Sequence, residues 1–169
     1  MIGSVGLGLL FTCACENGVV SPDEPDRFAI YIAADNETLY APPYYPTVPL
    51  EPEPWLTDKD ITSYEWDSHI ITFPDSVRAR LNGRRDLLHR YFVVTAGGER
   101  IYGGWFIDAL DSTIPPVRIR IYCRHETEEL PFPYVIRIGF APSDPDYMSD
   151  PRPDPRIEQT LERAGKLLR

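Results

Sequence analysis

Basic side chains are in short supply in this chain of 169 residues. Lysine and arginine together number 17 against 26 aspartates and glutamates, so the net charge is −9. Proteins that bind nucleic acid need a basic surface to neutralise phosphates, and the charge therefore argues against a nucleic-acid partner. The same deficit argues against adhesion to anionic lipid through charge alone. Almost all of the cations are arginine, because Lys59 and Lys166 are the only lysines.

The sequence signatures of the common catalytic sites are also missing. The chain contains no G-x-S-x-G, no catalytic-cysteine signature and no H-E-x-x-H. The glycine pairs at 97–98 and 103–104 are not followed by G-K-[ST], so they do not predict a phosphate loop. The first pair predicts a hairpin turn, and the second predicts a bulge or a place where an aromatic ring lies on bare backbone. No catalytic residue, cofactor or metal ligand is predicted, and an enzyme is the less favoured reading.

Asp67, Ser68 and His69 place the three residue types of a catalytic triad side by side, while His89 and His125 lie in other segments. In a strand, Ser68 would point away from its two neighbours, so the geometry of a local triad would be poor. A turn in which Asp67 or Ser68 binds the backbone is favoured.

Two of the three cysteines, Cys13 and Cys15, lie in the stretch LLFTCACENG. Residues 1–14 carry no charge and are too few to cross a hydrocarbon core about 30 Å thick, which is typical of the apolar region of a secretion signal. The motif TCAC resembles the end of a bacterial lipoprotein signal, in which a small residue precedes the modified cysteine. Ala14 precedes Cys15, whereas the bulkier Thr12 precedes Cys13, so we predict cleavage after Ala14 and lipidation of Cys15. The alternative is an ordinary buried first strand or a frayed terminus.

Lipidation would place the protein at the bacterial cell envelope, held to a membrane by its N-terminal lipid and facing the periplasm or the exterior. Loss of Cys13 and lipidation of Cys15 leave Cys123 alone, so no internal disulfide is predicted. Cys123 alternates with Ile119 and Ile121 in VRIRIYCRH, which predicts a small core residue rather than a nucleophile.

The chain divides into a signal segment (1–14), a polar, proline-bearing tether (15–26) and a single domain (27–169). The order of strand and helix patterns in this domain predicts an α+β fold, which is mainly an antiparallel sheet with one short inserted helix and a C-terminal helix. The proline-rich stretch at 41–55 is interpreted as a loop whose tyrosines pack on the sheet, or else as a polyproline II ligand. The other predicted elements are an interior strand at 27–35, two extended runs at 60–73 around a turn at 67–68, a helix at 74–83, a hairpin at 91–107, strands at 117–124 and 134–140, and a helix with Ile157, Leu161, Ala164 and Leu168 on one face.

Three pieces of this domain, DITSYEWDSHII, YFVVTAGGERIYGGWF and DPRPDPRIEQTLERAGKL, resemble a family of small, uncharacterised bacterial lipoproteins and exported proteins. The resemblance covers residues 27–169 and rests on structural motifs, so it implies no activity. A looser similarity, at the level of the fold, is to the first periplasmic domain of the export subunit SecD, where a short helix precedes a hairpin with a glycine turn. Neither resemblance implies a catalytic residue.

Two charged clusters are candidates for ligand binding. The stretch SDPDYMSDPRPDPR contains four carboxylates: Asp144, Asp146, Asp150 and Asp154. They could bind Ca²⁺. Alternatively, they could pair with arginines, and the last of them could cap the C-terminal helix. An arginine cluster could receive an anion or an acidic partner, or could form a solvated helix flank balanced by Asp75 and Asp86: Arg78, Arg80, Arg84, Arg85 and Arg90.

The leading hypothesis is an envelope lipoprotein that acts as a binding module for an unknown ligand, such as an envelope protein or a glycan. Trp66, Trp105 and several tyrosines, together with the proline-rich stretch, could form an aromatic contact surface, although such stripes are more often core. One alternative is a purely structural envelope protein. The other is a carbohydrate-active hydrolase, with Asp108 and Asp111 roughly 5 to 9.5 Å apart in a cleft.

Overall fold

The computed structural model describes residues 27–34, 45–81, 84–108, 118–122, 134–138 and 149–169. These residues form nine strands and two α-helices: β1 (Phe28–Ile32), β2 (Leu56–Thr57), β3 (Ser63–Glu65), β4 (Ile70–Thr72), α1 (Asp75–Leu81), β5 (Tyr91–Ala96), β6 (Glu99–Ile107), β7 (Ile119–Tyr122), β8 (Tyr134–Ile138), α2 (Pro155–Arg163) and β9 (Leu167–Leu168). A short 3-10 helix, Arg85–Leu87, follows α1.

The nine strands form one sheet in the order β2-β1-β5-β6-β7-β8-β4-β3-β9. Neighbouring strands run antiparallel, except that β6 is parallel to β7 and β3 is parallel to β9. The short helix α1 is inserted after β4, and α2 is the C-terminal helix. The predicted α+β class with a mainly antiparallel sheet is confirmed. No helix among the described residues is long and apolar enough to span a bilayer.

The central hairpin of β5 and β6 turns at the predicted glycine pair. Gly97 has φ of 59° and Gly98 has φ of 77°. Two successive positive φ values suit a two-residue turn whose twist matches the flanking strands, and glycine adopts them without steric cost. The register of the hairpin shifts between Val94 and Thr95, so its bulge lies nearer the turn than the second glycine pair at 103–104.

The two faces of the sheet are packed differently, and we call the face covered by α2 the inner face. Alternate side chains of β1 and β3 to β8 point to this face, where Ile157 and Leu161 of α2 meet them. The predicted interior strand is confirmed, because β1 lies between β2 and β5 and buries residues on both of its faces. The largest fully buried side chains of this core are Phe28, Ile30, Leu56, Ile61, Tyr64, Leu87, Phe92, Phe106, Ile121, Ile136, Ile157 and Leu161.

The outer face is covered, over β1, β5 and β6, by residues 45–50 of the proline-rich stretch. Tyr45, Val48 and Leu50 pack against the apolar side chains that these strands direct outward. Arg100 fixes the loop, because its Nη1 donates to the carbonyl oxygens of Val48 at 2.7 Å and Tyr45 at 3.1 Å. The prediction of a loop that packs on the sheet through a tyrosine is confirmed for the described residues.

The C-terminal helix begins as predicted but ends sooner. Asp154 caps it, since its carboxylate accepts a backbone N–H of the first turn at 2.9 Å. The helix stops at Arg163, because Gly165, with φ of 66°, closes it in a Schellman motif. The prediction that one helical face runs from Ile157 to Leu168 is therefore wrong, and Leu168 belongs to strand β9.

Candidate functional site

The turn between β3 and β4 separates the three residues that the sequence places side by side. His69 is buried and its Nδ1 lies 2.8 Å from the hydroxyl oxygen of Tyr64. Ser68 donates to a carboxylate oxygen of Glu65 and accepts the backbone N–H of the first β4 residue at 3.3 Å, while Asp67 is exposed. The predicted turn, with Ser68 bound to the backbone, is confirmed. The three side chains do not converge on one point.

His69 belongs instead to a group of polar side chains at the inner face, which we call the His69 cluster: Tyr64, His69, Tyr102, Asp150 and Arg152. The side chain of His69 is only 5% exposed, and its backbone has φ of 55°, in the left-handed region. A non-glycine residue held in this region costs free energy and persists because its surroundings impose it. The ring centroid of His69 lies 5.9 Å from that of Tyr64 and 6.0 Å from that of Trp66.

Burial sets the ionisation of the aromatic members of the cluster. It lowers the pKa of His69, and the nearby Arg152 cation lowers the pKa further, while Asp150 and Asp67 oppose both. Burial also raises the pKa of Tyr64 and that of Tyr102. The Tyr102 hydroxyl has no hydrogen-bond partner among the described residues.

The two charged members of the cluster bind each other. The Nε and Nη2 atoms of Arg152 donate to the carboxylate of Asp150 at 3.0 and 2.8 Å, and Nη1 donates to the carbonyl oxygen of Ile136 at 2.8 Å. Burial alone would raise the pKa of the Asp150 carboxyl, but the hydrogen bonds from Arg152 outweigh it and lower the pKa. Because Arg152 reaches the backbone of β8, this pair ties the segment before α2 to the sheet.

A neutral histidine hydrogen-bonded to a tyrosine could in principle transfer a proton, but this pair is closed to substrate in the described state. Tyr64 has no exposed surface and His69 is nearly enclosed. General acid–base catalysis requires the group to reach the reacting atom directly or through one water. In the described residues, the pair of Tyr64 and His69 does not meet this requirement.

Each described carboxylate of the aspartate-rich stretch forms an ion pair with an arginine. Asp150 pairs with Arg152, and Asp154 pairs with Arg156 at 2.8 Å while also capping α2. These are the arginine pairs that the sequence predicts. Within the described ranges, no group of three or more His, Cys, Asp or Glu side chains is placed to hold a metal ion.

The arginine cluster after β4 is spread over several ion pairs rather than focused on one point. Arg80 pairs with Asp60 at 2.8 Å, and Arg84 pairs with Asp86 at 2.7 Å. Arg90 pairs with Glu51 at 2.6 Å. The balancing role predicted for Asp86 is confirmed.

The two tryptophans considered for an aromatic contact surface belong to the core packing instead, which is the more common outcome that the sequence analysis noted. Tyr64 and Trp105 are buried, and Trp66 packs against the inner core. The glycines at 103–104 make room for part of this packing: a Cβ on the first would fall 1.8 Å from the Tyr91 hydroxyl, and one on the second 2.3 Å from the Phe92 ring. The expectation that aromatic rings lie there on bare backbone is confirmed.

One apolar side chain does stand at the surface, at the β9 edge of the sheet. Leu168 is 53% exposed and is the exposed large hydrophobic residue of the described chain. On the outer face it is the direct cross-strand neighbour of Glu65, which in turn neighbours Ile70 on β4. Sequence periodicity missed this site because Leu168 also fits the spacing of the preceding helix. The signal against a continuous helix was Gly165.

Several predicted residues lie outside the described ranges. Asp108 is half-buried directly after β6, but Asp111 is outside, so the separation of the proposed carboxylate pair stays a prediction. The same holds for lipidation of Cys15, for the core role of Cys123, and for the calcium ligands Asp144 and Asp146.

Comparison with known proteins adds no relative. No family model matches the chain, and neither curated proteins nor solved structures give a significant match. The resemblances to bacterial lipoproteins and to the SecD periplasmic domain stay predictions.

Proposed function

We propose that the chain is a bacterial envelope lipoprotein, anchored by lipid on Cys15, whose domain 27–169 binds an extended segment of another envelope protein. Anchoring is supported by the uncharged residues 1–14, by Ala14 before Cys15, and by the polar tether at 15–26. The tether would hold the domain a short distance from the membrane.

The observation that carries the binding role is the β9 edge. Among the described residues, β9 has a partner strand on one side only. The carbonyl oxygen of Lys166 accepts the backbone N–H of Tyr64 in β3 at 2.7 Å, and that of Leu168 accepts the N–H of Trp66, directly after β3, at 2.8 Å. The backbone groups of Leu167 between them therefore face away from β3. An edge of this kind receives a peptide by strand addition, in which the main chain provides affinity and alternate side chains provide specificity.

The exposed side chain of Leu168 favours an apolar residue on the incoming strand. A peptide suits this edge better than a glycan does, because its N–H and C=O groups repeat at the spacing that the edge offers.

The anchoring part is tested by mass spectrometry of the protein from the membrane fraction. We expect diacylated Cys15 as the first residue of the mature chain. Cys15→Ala should release the protein from the membrane, while the matched variant Cys13→Ala should leave anchoring unchanged. A soluble product with unmodified Cys15 would contradict this part of the proposal.

The binding part is tested by placing a photoreactive residue at position 168 of the full chain in its own cells. We expect one discrete covalent adduct with another envelope protein, whose crosslinked peptide is extended and apolar at the contact. The matched control places the same residue at Lys59, an exposed position beside the opposite edge strand β2. Equal adducts at both positions would contradict the proposal, and a crosslinked dimer of the chain would show that the edge serves self-association.

A further inference from the structure

We propose that the β3–β4 turn is an acid-sensitive latch for β9, in which protonation of His69 loosens the turn and weakens the hold of β3 on the C-terminal strand. This inference concerns the conformation of the domain and does not depend on the envelope partner proposed above. It rests on the position of His69 between the two residues that hold β9.

Those two residues are Tyr64 and Trp66. The backbone N–H of Tyr64 donates to the carbonyl oxygen of Lys166 at 2.7 Å, and that of Trp66 donates to the carbonyl oxygen of Leu168 at 2.8 Å. Their side chains both contact His69, the first through the 2.8 Å hydrogen bond and the second through a ring contact. A displacement of the His69 ring therefore acts on both hydrogen bonds that fix β9.

The backbone conformation of His69 favours a change in the turn once its side-chain contacts weaken. Its φ of 55° is a strained conformation for histidine, and the buried contacts of the ring hold it there. The carbonyl oxygen of His69 also accepts the N–H of Ile136 at 3.2 Å, so the turn is tied to β8. When the contacts of the ring weaken, the strain favours a different turn.

The titratable groups that act on His69 come from β3, from the turn and from the segment before α2. They are Tyr64, Asp67, Asp150 and Arg152. The Arg152 cation opposes a second positive charge. The two carboxylates are poorly placed to compensate, because Asp150 is bound to Arg152 and Asp67 points to solvent.

Protonation also changes the hydrogen bond between His69 and Tyr64. A neutral imidazole and a hydroxyl share one hydrogen on the line between Nδ1 and the oxygen, whichever of them donates. In the imidazolium both ring nitrogens donate, so the Tyr64 oxygen must accept. If the Tyr64 hydroxyl is the donor in the neutral pair, its hydrogen must then find another acceptor inside the core. Burial makes that exchange unfavourable.

The direction of the pH effect follows from the same groups. Burial and Arg152 hold the pKa of His69 below that of an unfolded histidine, about 6.5. The unfolded chain then binds more protons than the folded one, so this stabilisation is full above about pH 6.5 and is lost as pH falls towards the folded pKa. The lowered pKa of Asp150 means that its pair with Arg152 persists until the pH falls below about 3.9. The latch therefore begins to open at a higher pH than the pH at which the paired carboxylates become protonated.

The test is amide hydrogen exchange by NMR on the full chain at about pH 7.5 and about pH 5.5, a range that spans the ordinary titration of histidine. We expect the protection factors of the Tyr64 and Trp66 amides to fall at the lower pH by up to about tenfold. Amides in the central β5–β6 hairpin should keep their protection. His69→Asn should remove the pH dependence, because asparagine tolerates a positive φ but does not titrate.

The matched control is His89→Asn, since His89 also has a positive φ, of 63°, and its ring stacks on Trp105 away from β9. That variant should keep the full pH dependence. A titration of the His69 ring signals in the unmodified chain needs no variant and covers the case in which His69→Asn fails to fold. Unchanged protection of Trp66 across the range, or a His69 ring that titrates at or above about pH 6.5, would overturn the proposal.

Discussion

The two edges of the sheet are both two-residue strands, yet they differ in the exposure of their side chains. At the β2 edge, Leu56 is 0% exposed and Thr57 is 7% exposed. At the β9 edge, Leu168 is 53% exposed. Short edge strands are one way in which proteins avoid unwanted pairing. Here shortness is common to both edges, so it does not explain the difference.

Local hydrogen bonds and burial seal the β2 edge. The Asp60 carboxylate accepts the N–H and the hydroxyl of Thr57 at 2.8 and 2.9 Å, and Arg80 of α1 pairs with the same carboxylate. The β9 edge is held to β3 by the amides of Tyr64 and Trp66, while its outward side chain remains in solvent. An edge sealed in this way contributes to the stability of the fold, whereas the β9 edge is the one for which we propose a partner.

The largest expected effect comes from Leu56→Ala at the sealed edge. Truncating a fully buried leucine removes apolar contact and leaves a cavity, which costs about 2–5 kcal/mol of the free energy of unfolding. Equilibrium unfolding in urea, with the slope compared with that of the unmodified chain, measures the loss. A cost below about 1 kcal/mol would show that the β2 edge is looser than its burial indicates.

Asp60→Ala should come next, at about 1–3 kcal/mol, because the N–H and hydroxyl of Thr57 lose their buried acceptor. Burial raises the pKa of Asp60, but the hydrogen bonds from Thr57 and Arg80 outweigh it and lower the pKa. This stabilisation is therefore present above the unfolded pKa of about 3.9 and is lost as pH falls through the lower folded value.

The control for Asp60 is Asp67→Ala, an exposed carboxylate in the β3–β4 turn, which should change stability by no more than about 0.5 kcal/mol. Melting temperatures measured from neutral pH to about pH 3 test the order in which the two edges lose their stabilisation. The β2 edge should hold until the carboxylates titrate, after the window proposed for His69. Opening of both edges at one pH would remove the distinction between them.

The sequence predicts this molecule best where its structure is local. The hairpin turn follows from two adjacent glycines, and the start of α2 follows from Asp154 and a proline next to it, so few residues carry each signal. Strand β9 escaped prediction because its partner Tyr64 is about a hundred residues away, and nothing near Leu168 indicates that pairing. Whether the aromatic side chains form core or a contact surface stayed open, since which face of a strand is covered depends on the order of strands in the sheet.

The same limit explains the His69 cluster. Tyr64 and His69 are five residues apart, but the left-handed backbone of His69 turns the ring inward, and no neighbouring glycine marks that conformation. Arg152 joins the cluster from the far end of the chain through the carbonyl of Ile136. Only the sheet order brings these residues together.

Between the two edges lies the β5–β6 hairpin, and Gly98→Val should destabilise it by about 1–2 kcal/mol through the penalty of positive φ. Gly98→Asn is the matched variant, because asparagine tolerates this conformation and should cost less. Thermal melts of the two variants give the difference. Equal melting temperatures for both variants and the unmodified chain would count against the strain at this turn.

The smallest effect on stability, and the most informative one for function, is expected from Leu168→Lys. The side chain is already mostly in solvent, so the free energy of unfolding should change by no more than about 0.5 kcal/mol. A partner strand that packs an apolar side chain against Leu168 would lose that contact and meet a buried charge instead, so its capture should fail.

The assay uses a photoreactive residue at the neighbouring position Arg169, with and without Leu168→Lys, together with a urea titration of both proteins. Thr72→Lys, which adds the same charge at an exposed position on β4, is the control and should leave the adduct intact. An adduct that survives Leu168→Lys would show that the β9 edge is open without being the binding surface, and an unfolding loss well above about 0.5 kcal/mol would show that this edge, like β2, serves the stability of the fold.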